Sequence, residues 1–203
     1  GMWINMTDTI RVYDKALPEA WCENLIEMFE SNSDEHHTLT NRNFCPKFTE
    51  LCINRASPAH ISGLVQFVLK VYDKYKDDVG VRFIPQFTQL EEFRVKRYLV
   101  GNGDRFDEHV DIQRERTAKR AVSFLFYLNT CEGSTVFTRQ ELNVSPKRGR
   151  VVVFNPTWEY PHKGLPPTVD SKYVMSTYLH YPNLTNLDNP YEIGAEPKNG
   201  EPD

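Results

Sequence analysis

The sequence predicts a mainly β fold with flanking α-helices, built on a double-stranded β-helix (jelly roll) core. Three features carry that expectation. Two amphipathic helical patterns come early in the chain. After Val79-Gly80 the character changes to short runs rich in Val, Phe, Tyr and Thr. Turn residues then separate those runs at an even pace, as in an all-β sandwich or barrel.

The first helix is expected over 17–32, where Pro18 suits a first helical turn and Trp21, Leu25, Ile26, Met28 and Phe29 form an apolar stripe. Residues 33–56 mix Ser, Asn, Asp, His and Thr and read mostly as loop. A connection that long is often functional, and a lid over a substrate entrance is the corresponding expectation. The second helix is expected over 58–76, with Ser57 as N-cap, Pro58 as first residue, and Ile61, Leu64, Val65, Val68, Val71, Tyr72 and Tyr75 at helical spacing. Strands are expected at 90–100, 106–112, 121–129, 134–138, 151–155 and 172–180. Gly101-Asn102-Gly103-Asp104, Glu132-Gly133 and Lys147-Arg148-Gly149 supply turns. The chain then reads as one domain: a helical and loop flank (3–89) packed on the core, the core itself (90–181), and an irregular tail (182–203). Gly1-Met2 reads as an expression scar before a native start and is set aside.

Composition narrows the function. With 203 residues, 39% hydrophobic and 26% charged, the chain can bury one ordinary core. A formal net charge of -4 supplies no global basic field, so no nucleic-acid partner is expected. Lys147 to Arg150 reads as a charged turn before a strand. No apolar run approaches the ~18 residues of a membrane span, so no membrane partner is expected. Cys22, Cys45, Cys52 and Cys131 lack metal-site spacing. With no secretory signal evident, they suit free thiols in a cytoplasmic protein.

The chemistry begins at Phe106-Asp107-Glu108-His109-Val110-Asp111. On a strand, residues i and i+2 share a face, so an imidazole and a carboxylate there can reach one metal ion. Alone the pair is weak: with six histidines and 28 acids, chance supplies about one His-x-acid pair in such a chain. His162, after the turn Pro156 to Pro161, completes a two-His, one-carboxylate set, which suits iron(II) with open positions. Lys172, ten residues further on, is a cation that could fix the far end of a buried dicarboxylate. His36, His37, His60 and His180 read as ordinary solvated histidines.

This order, His109-x-Asp111, His162, Lys172, resembles the 2-oxoglutarate/iron(II) oxygenases of the prolyl 4-hydroxylase type. Tyr98 resembles the tyrosine that precedes the family's metal motif, and Phe106 stands where an aromatic is frequent. Phe126-Tyr127-Leu128-Asn129 is similar to the strand whose tyrosine helps bind the co-substrate. Glu132-Gly133-Ser134-Thr135-Val136-Phe137 resembles a Gly-Gly-x-Thr-x-Phe segment, with the second glycine replaced. Pro146 to Phe154 and Lys172 to His180 resemble the strands before the distal histidine and at the close of the core, with Tyr178 where tryptophan is common.

The resemblance covers about 90–180 and implies a dioxygenase that couples conversion of 2-oxoglutarate and O2 into succinate and CO2 to hydroxylation of a C–H bond. Its substrate would be a prolyl or other residue of a peptide or protein, or a free amino acid. His109, Asp111 and His162 would hold Fe(II), and Lys172, aided by Tyr127 and Tyr98, the co-substrate, with ascorbate as an auxiliary reductant. Alternation on 172–180 places Lys172, Val174, Ser176 and Tyr178 on one face, expected to line the pocket with Phe106; Tyr173, Met175 and Thr177 face away. A cupin-like metal protein would use the triad but leave Lys172 and Tyr127 without a task. A silent jelly-roll binding module would not need a complete triad.

Overall fold

The structure, a computed structural model, describes residues 8–40 and 45–182. In chain order its elements are β1 (Arg11–Tyr13), α1 (Glu19–Ser31), β2 (His37–Thr40), β3 (Pro46–Cys52), α2 (Ile53–Ala56), α3 (Ile61–Val79), β4 (Gln89–Leu90), β5 (Arg94–Tyr98), β6 (Arg105–His109), β7 (Arg120–Tyr127), β8 (Thr135–Phe137), β9 (Leu142–Val144), β10 (Val151–Phe154), β11 (His162–Gly164) and β12 (Lys172–His180). The strands pair antiparallel in the order β1-β10-β7-β12-β5-β3-β6-β11-β8-β9, with β2 on β3 and β4 on β12. This is the expected jelly roll, a curled sheet that wraps round on itself.

Side-chain alternation divides the interior in two. Val95, Phe124, Phe126, Val151, Val153 and Met175 turn to one face, where they pack against Leu25 and Phe29 of α1 and Leu64, Val68 and Tyr72 of α3. Their strand neighbours Tyr98, Tyr127, Val152, Phe154 and Val174 turn to the other face and form a second cluster inside the roll with Phe48 and Phe137. The functional cavity opens from that inner face.

Both helices stand where the periodicity predicts, though the second starts later. Residues 58–60 form a 3-10 turn ahead of α3, and Ser57 uses its hydroxyl on His60 Nδ1 rather than as a cap. The expected loop 33–56 is the main correction. Thr38 to Thr40 and Lys47 to Cys52 pair as β2 and β3, although the adjacent Thr49 and Glu50 interrupt any alternation along β3. β3 then bridges β5 and β6, so this part of the segment belongs to the sheet. Its polar side chains (Lys47, Thr49, Glu50) disguise it, because a strand hydrogen-bonded on both sides can still leave polar groups half-exposed. Strands β1, β4, β9 and β11, two or three residues each, are too short to give a period. Gly1-Met2 and all of the expected tail beyond Pro182 lie outside the described residues.

The turn at Glu132-Gly133 has a strict steric cause. Gly133 has φ 101°, and a Cβ there would lie 2.9 Å from the Leu165 carbonyl oxygen. Gly133→Ala is expected to cost about 1–3 kcal/mol in denaturant unfolding, because both backbone strain and a clash with main chain must be relieved. An unchanged midpoint would show that the two segments can part freely.

Candidate active site

His109 ends β6, and the chain leaves the sheet at Val110 and brings Asp111 back under β7. His162 opens β11 and pairs directly with His109 across the two strands. One ligand atom from each of His109, Asp111 and His162 lies within 4.8 Å of the others. Asp111 Oδ1 is 3.5 Å from His109 Nε2 and 3.3 Å from His162 Nε2. Adjacent ligands about 2.1 Å from an octahedral ion stand roughly 3 Å apart, so a small metal ion needs only a slight closing of this cluster.

The hydrogen bonds around the two rings suit that use. His109 Nδ1 lies 2.8 Å from the Asp107 carbonyl and His162 Nδ1 3.0 Å from the Tyr160 carbonyl. Each Nδ1 therefore carries its proton outward, and each Nε2 presents a lone pair to the centre. Phe106 stacks on His109 with ring centroids 3.6 Å apart and planes inclined by 14°, which fixes that ring further.

Asp111 is held from two sides. Ser123 Oγ donates to its Oδ2 at 2.8 Å, leaving Oδ1 for the centre, and Arg120 Nη1 donates to its backbone carbonyl at 2.9 Å. Burial opposes charge on Asp111, yet the His162 and His109 rings hold its carboxyl well below the usual range. Burial lowers the His109 pKa, whereas for His162 the Asp111 charge outweighs burial and raises it.

Behind the triad lies Lys172, 2% exposed. Its ammonium donates only to two backbone carbonyls, Gly133 at 2.9 Å and Leu165 at 3.0 Å, and sits 4.5 Å above the Tyr98 ring. Burial pushes its pKa down to about 8. A buried cation with neutral partners only is costly and is ready for an anion. Gly164 keeps the approach open, since a Cβ there would lie 3.7 Å from the ammonium and 3.6 Å from Phe106 Cβ.

The cavity has an empty volume of about 560 Å³, its mouth included. The residues expected along its wall, Phe106, Lys172, Val174, Ser176 and Tyr178, all line it together with Tyr98 and the triad. Tyr173, Met175 and Thr177 turn to the helices or to Glu91, as alternation requires. Tyr127 stands one layer back: its hydroxyl meets Thr135 Oγ1 at 2.6 Å, and Thr135 is the group that reaches the cavity.

Sequence reasoning missed Lys96, Ser123 and Thr135 as lining residues, and Arg120 behind them. Only the two-residue offset of Lys96 from Tyr98, and of Ser123 from Leu125 on β7, could have flagged the first two. It also misread His180, which is 5% exposed with Nε2 3.0 Å from Glu91; His36, stacked on Phe29, and His60, edge-on to Trp21, stay half-exposed.

Glu91 ties this side of the site together. It accepts from Arg120 at 2.8 and 3.0 Å and from Arg94 at 3.1 Å, while Arg120 lies 3.8 Å over the Tyr178 ring. Burial would raise the Glu91 carboxyl, but bonds from Arg120 and His180 hold it at about 2. A depressed carboxyl contributes stability above its unfolded pKa and loses it as pH falls through the folded value. Wild-type stability should therefore drop between pH about 4.5 and 2. Glu91→Gln should flatten that drop and cost about 2 kcal/mol at neutral pH, after allowance for solvent screening. Parallel acid profiles in equilibrium unfolding would remove Glu91 from this role.

The family description "2OG-Fe(II) oxygenase superfamily" matches residues 93–180. No curated protein matches the chain. Among solved structures, the chain is similar to a viral collagen prolyl hydroxylase of Paramecium Bursaria Chlorella virus-1. The TM-score is 0.65 at 16% identity, covering 86% of this chain and 97% of that one. It is also similar to a Pseudomonas putida prolyl-4-hydroxylase, with TM-score 0.67, 17% identity and coverage of 87% and 95%. A third is a Trichoplax adhaerens prolyl hydroxylase in complex with a hypoxia inducible factor peptide fragment, with TM-score 0.66, 17% identity and coverage of 88% and 87%. At such identities the likeness establishes a common fold.

Proposed function

We propose that this chain, whose residues 93–180 match the 2OG-Fe(II) oxygenase superfamily, is a dioxygenase that hydroxylates a C–H bond of a peptide, protein or free amino acid, releasing succinate and CO2. The observation that carries the reading is the joint presence of two buried elements. One is a His-Asp-His cluster with both Nε2 atoms turned inward, and the other is Lys172 with no acidic partner among the described residues. Neither a cupin-like site nor a silent module needs both.

His109, Asp111 and His162 hold Fe(II), with Ser123 and Arg120 fixing the carboxylate. The Lys172 ammonium takes the far carboxylate of 2-oxoglutarate, flanked by the Tyr98 ring and by Thr135, whose hydroxyl Tyr127 orients. Iron with its co-substrate and O2 supplies the oxidising chemistry, and the protein supplies position and a dry cavity. Phe106, Val174, Ser176 and Tyr178 shape the space left for the prime substrate. The kinship in fold with prolyl hydroxylases, one of them bound to a peptide, supports proline, as a residue or as the free amino acid, among the candidate substrates. The free state of Cys22, Cys45, Cys52 and Cys131 supports a cytoplasmic setting, in which ascorbate can serve as reductant.

Anaerobic titration with Fe(II) and then 2-oxoglutarate should produce the weak visible charge-transfer band of the chelate. His162→Ala should lose it, and Lys172→Ala should need about 10- to 100-fold more co-substrate, the loss of one charge-assisted bond. Metal binding without the band in wild type would favour the cupin-like alternative.

The pKa of Lys172 adds a pH dependence. Binding requires the ammonium, which the free protein loses above pH about 8. Co-substrate affinity should be level below that pH and weaken by about tenfold per unit above it. Calorimetry on the Mn(II)-loaded protein at pH 7 and 9 reads this directly, and equal affinities would exclude Lys172 as the anchor.

A further inference from the structure

We propose that Lys96 is a receptor for a carboxylate on the prime substrate, which makes that substrate a small carboxylic acid of amino-acid size rather than an internal residue of a protein. This rests on Lys172 being the anchor of the co-substrate.

Lys96 stands two residues before Tyr98 on β5, so both side chains face the cavity, and it lies across from Val174 on β12. Lys172 is across from Tyr98, one step further along the same wall. The cavity thus contains two lysines at different depths. A five-carbon dicarboxylate clasped by Lys172 at one end and by the metal at the other leaves Lys96 over.

The surroundings of Lys96 do not neutralise it. Its ammonium sits 5.1 Å from the centre of the Phe48 ring. Among the described residues, no carboxylate comes within the ion-pairing distance of 4.0 Å. Glu50, its register partner on β3, attracts it only from beyond that distance. Glu91 and Glu92 are committed to Arg94 and Arg120. Burial accordingly lowers the pKa of Lys96.

Charge matching gives the sign of the missing ligand. Iron(II) and Lys172 together match Asp111 and the two carboxylates of the co-substrate. With these in place, Lys96 is a half-buried positive charge without an ion-pair partner among the described residues, attracted by Glu50 only from a distance, in a pocket walled by Phe48, Leu125, Val174 and Tyr178. A charge so placed is stabilised by an anion brought from outside. A lysine accepts a carboxylate as a point charge without demanding a fork geometry. Lys96 lines the same cavity as Asp111 and His162, so the reacting C–H bond would lie a few bonds from that carboxylate.

The probes are the twenty amino acids and their α-carboxamides, offered to wild type, Lys96→Met and Lys96→Arg. Three readouts are taken: the anaerobic shift of the Fe(II)·2-oxoglutarate band, the melting temperature of the iron-free protein with 2-oxoglutarate, and succinate release. In wild type at least one amino acid should act in all three readouts, and its carboxamide should be about 10- to 100-fold weaker. Lys96→Met should erase that preference without raising the 2-oxoglutarate concentration needed for the band, and Lys96→Arg should keep it. Equal response to acid and amide, or response to none of the acids, overturns the proposal. So does a raised 2-oxoglutarate requirement in Lys96→Met, which would assign Lys96 to the co-substrate. Absence of the band from wild type is a separate result and refutes the oxygenase reading itself.

Discussion

The period of two along β5, β7, β10 and β12 is the constraint on which the other features rest. On each strand one set of residues faces the helices and the other faces the cavity. A slip of one residue in β12 would send Lys172, Val174 and Ser176 into the helix layer and bring Tyr173 and Met175 into the cavity. Nothing local fixes that register. It is set by the apolar residues themselves: Met175 and Leu179 belong against α3, with Phe126 and Val122 directly across on β7. The packing that stabilises the fold is therefore the same packing that aims the polar groups.

Those polar groups are held at a cost. Asp111, His162 and Lys172 are each under 10% exposed, and each loses hydration that only partners can replace. Asp111 has its partners built in, through Ser123, Arg120 and two imidazoles. Lys172 has only two carbonyls and a ring face. The contrast separates a group whose charge the fold itself compensates from one whose compensation the fold leaves incomplete. Arg120 serves both sides at once, gripping the Asp111 main chain while its plane covers Tyr178.

Much of this site was legible because its chemistry is carried by spacing: His109 and Asp111 two apart, and Lys172, Val174, Ser176 and Tyr178 alternating. The architecture followed from the apolar runs of β7, β10 and β12. What escaped was long-range or unpatterned. β3 is polar at Lys47, Thr49 and Glu50, and only its hydrogen bonding to both β5 and β6 makes it a strand. β11 is three residues long and exists because β6 and β8 flank it. His180 carries no sequence mark of its tie to Glu91, 89 positions away. Thr135 was visible within a motif, but its position between Tyr127 and the cavity depends on how β8 meets β7 in space.

The placement of β12 has a consequence for how the protein is made. It is the last strand among the described residues, yet it sits between β7 and β5 in the body of the sheet. A chain emerging from the ribosome must present the edges of both neighbours, with Phe124, Phe126 and Val95 uncovered, until residue 180 is free. β1 meanwhile waits for β10, some 140 positions later. Such a contact pattern favours slow closure and a sticky half-built sheet, so chaperone demand during synthesis is written into the strand order.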